Sequence, residues 1–127
     1  MTDLRLDFFE RLKTLFPEVQ EAYDKATRDD IEGDEILWVV VYMFIGGKIG
    51  KDFTKIPDDR LKSLFDLIEE GASSENEDLG VAVCTGLLES MTDPLMKDRE
   101  VWKQAQEVLG EVSLQHILGM NKFYGIE

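Results

Sequence analysis

The sequence predicts an all-α fold: one helical domain over residues 1–127, built of six to seven short helices packed as antiparallel hairpins, with a slight solenoid curve as a variant of that packing. Three observations lead there. Only three prolines interrupt 127 residues, and leucine, glutamate, lysine and alanine are plentiful. Apolar residues recur at helical spacing through most of the chain. Residues 38–42, WVVVY, have strand propensity, but a strand needs a partner and no other segment alternates convincingly. At 127 residues and 43% hydrophobic, the chain suits one domain with a real core.

Residues 3–16 place Leu4, Phe8, Leu12, Leu15 and Phe16 on one face of an amphipathic helix. Pro17 ends it and opens a second, surface helix with Val19, Ala22, Tyr23 and Ala26 as its stripe. Residues 34–50 read as a central helix buried on most sides, capped by Asp34. Its glycines, in GGKIG, read as helix termination followed by a turn. Pro57-Asp58-Asp59 opens the next helix, whose stripe is Leu61, Leu64, Phe65 and Ile68 and whose stop is Gly71. Ser74 and Glu77 have capping-box spacing before a second nearly all-apolar helix, with Leu79, Ala82, Val83, Leu87 and Met91 on its face. Asp93-Pro94 reads as the start of a helix carrying Val101, Trp102, Ala105, Val108 and Leu109. Gly110 breaks that helix, and Ser113 is the expected cap of a last one.

Charge narrows the function. The chain has 14 basic and 27 acidic residues, a net charge of −13. Such a surface repels nucleic acid and anionic membranes and attracts a basic partner; solubility alone is the plainer reading. The single cysteine, Cys84, rules out an internal disulfide and suits a reducing cytoplasm. The opening MTDLRLDFFERLK has no apolar core segment, so neither a signal nor a transit peptide is expected. The longest apolar run, residues 36–45, is ten residues long, against the roughly 20 that a bilayer requires.

Catalytic motifs fail one by one. His116 is the one histidine and cannot build a multi-histidine metal site. It reads as a half-buried helix residue. Cys84 lies in an apolar helix with no base nearby, the wrong setting for a thiolate, and reads as structural. GGKIGKDFT misses Walker A, because Ile45 stands where its first glycine belongs and Asp52 follows Lys51. RDDIEGDE, aligned on Gly33, puts Arg28 and Val39 where an EF-hand needs carboxylates. No enzymatic activity, cofactor or metal is expected.

The acids themselves divide in two. Glu75, Glu77 and Asp78 fall where a helix begins and complement its dipole. Glu69 and Glu70 stand in the last turn of a helix, where the dipole disfavours them, and Asp29, Asp30 and Glu32 likewise follow a helix end. Residues that break a local rule point to function.

Residues 61–91, LKSLFDLIEEGASSENEDLGVAVCTGLLESM, and 110–125, GEVSLQHILGMNKFYG, resemble small acidic all-helical bacterial immunity proteins of contact-dependent growth-inhibition and related polymorphic toxin systems. The shared pattern is a helix ending in I-E-E, a short polar connection, and an apolar helix ending in L-L-E-S-M. The resemblance implies a protein that binds and blocks a cognate toxin domain, often a basic nuclease. It shows no toxin-class signature. Glu69, Glu70, Glu75, Glu77, Asp78, Asp29, Asp30 and Glu32 are then the expected partner-binding acids, with Trp102 as an apolar anchor and Tyr23 and Phe123-Tyr124 as further anchor candidates. The alternative is a helical adaptor or regulatory protein with another protein partner.

Overall fold

A computed structural model of the chain describes residues 3–29, 37–123 and 125. Among them are α1 (Leu4–Leu15), α2 (Val19–Asp29), α3 (Trp38–Asp52) with a 3₁₀ turn at Phe53–Lys55, α4 (Asp58–Ala72), α5 (Glu77–Val81), a π-helical segment Ala82–Leu88, α6 (Glu89–Met96), α7 (Arg99–Val108) and α8 (Glu111–Phe123). The π segment joins α5 and α6 without leaving helical backbone, so residues 77–96 form one rod. The all-α prediction holds.

The two nearly all-apolar helices of the sequence become the centre. α3 packs along the rod on one side and along α2 on the other. Tyr42, Ile45 and Ile49 of α3 are fully buried, as are Val83, Leu87, Leu88 and Met91 of the rod. Ala82, Val83, Leu87 and Leu88 of the π segment all lie in the core. α1 and α8 both lie against α4, so packing is not confined to chain neighbours as it is in a solenoid. The Tyr42 hydroxyl donates to the Arg5 carbonyl at 2.7 Å and ties α3 to α1. Burial pushes that phenol well above its ordinary pKa.

Local punctuation differs from the sequence expectation at several points, each time because packing overrides it. GGKIG does not end the central helix; α3 runs through it to Asp52. Gly46 and Gly86 sit where α3 crosses the rod, and neither has room for a side chain. A Cβ on Gly46 would meet the backbone of Leu87, with its carbonyl carbon at 2.8 Å and Cα at 2.9 Å; one on Gly86 would lie 2.9 Å from the Val39 oxygen. Gly71 does not stop α4, which continues to Ala72, and the Phe8 ring occupies the space a Gly71 side chain would need.

Caps shift as well. Asn76, not Ser74, caps α5, accepting from the Leu79 amide at 2.9 Å, while Ser74 Oγ accepts from Asn76 N at 3.0 Å. Pro94 lies inside α6, near its end, and Asp98 is the cap of α7, accepting from the amides of Glu100 and Val101. Ser113 is inside α8, which starts at Glu111. The expected Asp34 cap lies outside the described residues.

Candidate functional site

The rule-breaking acids of α4 have partners within the chain. The Glu69 carboxylate accepts from the amides of Val112 and Ser113 at 2.8 Å each and from the Ser113 hydroxyl at 2.7 Å. These are the orphan donors at the start of α8, so Glu69 is a helix cap supplied from another helix. Gly110 leaves the space that the Glu69 side chain fills. Partial burial works against ionisation of Glu69, but the Ser113 and Val112 donors outweigh it and hold the carboxyl below its ordinary pKa. Glu70 meets Arg11 of α1 at 2.6 Å, with both side chains more than half exposed, a pair worth about 0–1 kcal/mol. Glu69 is thus committed to the fold, whereas Glu70 stays in a solvent-exposed pair.

The acids that local structure had seemed to explain are the open ones. Glu75, Glu77 and Asp78 are all exposed where the α4–α5 connection enters α5. Among the described residues none of the three is in an ion pair. Arg5 of α1 feels the charge of Asp78 but is bonded through its side chain to Asp3 at 3.1 and 3.2 Å. That hydrogen bond lowers the Asp3 pKa. α1 packs against α5 at this end. Leu4 and Val81, on those two helices, are 45% and 44% exposed. The outcome is a solvent-facing surface of acids with two exposed aliphatic side chains.

The remaining sequence candidates lie elsewhere. Asp29 closes α2, and Asp30 and Glu32 fall outside the described residues. Trp102 is half-buried, packed from α7 against the core. Tyr23 is held between the rings of Phe9 at 5.0 Å and Trp38 at 6.1 Å, so it is a packing residue. Phe123 is 83% exposed at the end of α8, and Tyr124 lies outside the described residues.

The model of the family described as Domain of unknown function (DUF7674) matches residues 9–125. The chain belongs to that family. No curated protein and no solved structure matches it.

In this DUF7674 domain the single histidine and the single cysteine each have a partner within the fold. His116 Nε2 lies 3.1 Å from the Glu89 carboxylate, linking α8 to α6. Cys84 is half-buried, with Sγ directed at the Ala72 carbonyl at 3.8 Å. Burial, and then the charges of Glu89 and Glu69, push its thiol up, the opposite of nucleophile activation. Among the described residues, no group of three or more His, Cys, Asp or Glu could hold a metal ion, and no helix is long and apolar enough to cross a membrane.

One feature of the DUF7674 domain was missed by sequence reasoning. The outer side of α3 is open: Met43 and Phe44 are 45% and 39% exposed beside a groove between α2 and α3. Continuous apolar character had suggested burial on most sides. Lys48 and Lys51, spaced three apart directly after this face, were the available signal that the helix emerges into water.

Proposed function

We propose that this DUF7674 domain is a cytoplasmic immunity protein that binds a basic toxin domain and blocks its active surface. The observation that supports it best is the open acidic surface of Glu75, Glu77 and Asp78, beside the exposed Leu4 and Val81. Unpaired acids steer a basic partner into encounter and set its orientation. Desolvated aliphatic anchors among them would supply the slow off-rate that rim charges alone do not. The resemblance of residues 61–91 and 110–125 to immunity proteins points the same way, and that stretch includes all three acids.

The partner to test is the product of the gene adjacent to this chain's own, which this reading requires to be a toxin. Co-expression should protect the host and yield a 1:1 complex by size exclusion. The triple variant Glu75→Lys, Glu77→Lys, Asp78→Lys should slow association by about tenfold or more at low salt and flatten its salt dependence. Association at the wild-type rate would move the interface off this surface. A chain that binds no neighbouring gene product, even at low salt, would sink the immunity reading.

A further inference from the structure

The groove between α2 and α3 has the reverse chemistry of the acidic surface. Ala22, Met43, Phe44 and Gly47 form its apolar part, and its volume is about 410 Å³, within the range of about 300–1,000 Å³ usual for small-molecule sites. Methionine and phenylalanine make an adaptable wall for an alkyl chain. Nothing lies within 4 Å of where a Gly47 side chain would begin, so the groove is open there.

Its lining includes Lys25, Lys48 and Lys51 against a single acid, Glu21. That ratio inverts the 14-to-27 balance of the whole chain. Lys48 is neutralised, its amine 3.2 Å from Asp52 and 4.0 Å from Glu21. Asp52, as hydrogen-bond partner, raises the Lys48 pKa. Lys25 and Lys51 are exposed and, among the described residues, in no ion pair. Two ammonium groups on an apolar trough therefore have no ion-pair partner among the described residues.

The net charge decides which anion fits. An extended polyanion, whether nucleic acid or an anionic bilayer, would meet the −13 of the whole molecule. A small singly charged ligand inside the groove meets mainly its nearest lysines, because charges beyond about 8 Å are screened at physiological salt. A second copy docking the same patch on itself would set lysines against lysines.

We propose that this groove binds a single-chain anionic amphiphile of the fatty-carboxylate class. The alkyl tail lies on Met43 and Phe44, and the carboxylate is held by Lys25 or Lys51. The site is independent of the acidic surface and of the immunity reading.

Calorimetry with dodecanoate below its micelle concentration tests this on the full chain. Dodecanoate should bind saturably at 1:1, about tenfold or more tighter than dodecyltrimethylammonium. The double variant Lys25→Glu/Lys51→Glu should weaken dodecanoate binding by a similar factor. Gly47→Phe places a ring in the open groove and should abolish binding with the circular dichroism spectrum and melting temperature retained. A parallel arm with phosphatidylglycerol vesicles separates a free ligand from a membrane surface. Absence of saturable binding, equal binding of the cationic amphiphile, binding unaffected by Gly47→Phe in the folded variant, or binding to vesicles without binding of free dodecanoate would each overturn the proposal.

Discussion

Replacing Gly46 by alanine is expected to lower the melting temperature by roughly 6–10 °C. Alanine is the better helix former, by about 1 kcal/mol. The added methyl, however, would press on the Leu87 backbone, with two of its carbon atoms at 2.8 and 2.9 Å. A backbone has no rotamer to swing away, so the two central helices must separate, which costs about 3 kcal/mol, at the upper end for overpacking. The net loss is about 2 kcal/mol, and each kcal/mol shifts the melting temperature of a domain this size by about 3–5 °C. Gly47→Ala is the control. Its methyl meets nothing within 4 Å, so the helix-propensity gain of about 1 kcal/mol should appear as a small stabilisation. Urea unfolding of the pair would show opposite signs at adjacent glycines. A stable Gly46→Ala would mean that α3 and the rod do not cross as closely as described.

Removing the Glu69 carboxylate is expected to cost about 2–3 kcal/mol at neutral pH. Glu69→Ala strips the Val112 and Ser113 amides and the Ser113 hydroxyl of their shared acceptor. Ser113 is fully buried, so its hydroxyl cannot turn to water. Val112 is exposed and its amide rehydrates, which keeps the loss below the sum of three charge-assisted bonds. Glu69→Gln keeps an acceptor and should recover about half of the loss. The folded-state pKa of Glu69 is lowered. Its contribution is therefore complete above the unfolded glutamate pKa of about 4.3 and is lost as pH falls through the lower folded value. Wild type and Glu69→Ala should differ by the same amount at pH 7 and pH 6, and the gap should close on acidification below about pH 4. A gap that persists at low pH would show that packing, not the charged cap, carries the effect.

These two sites show where sequence reasoning stops. Glu69 was singled out correctly as an acid that breaks the helix-dipole rule, but the rule is local. The donors that justify it are 43 and 44 residues away, and no periodicity links the I-E-E end of α4 to the start of α8. Conversely, Glu75, Glu77 and Asp78 looked satisfied by dipole complementarity, which leaves a side chain fully exposed and available. Gly46 was legible as glycine in a helical run, yet the same residue serves equally as a terminator or as a crossing point. Only the neighbour across the contact decides which.

What the sequence by itself determined is the set of helices. Apolar spacing, low proline and the two nearly all-apolar segments depend on residues within one or two turns of each other, and they predicted the all-α class, the central α3 and a second buried apolar helix, but not its continuation through Pro94 as one rod. The tertiary structure decided what those helices do with their exceptions. It sent Glu69 to cap α8, placed Gly46 and Gly86 where the central helices touch, and left Met43 and Phe44 open to solvent beside Lys25 and Lys51. The reason is range. Helix formation is governed by neighbours along the chain, whereas a cap from another helix, a close crossing and an uncovered face exist only once distant segments have been brought together.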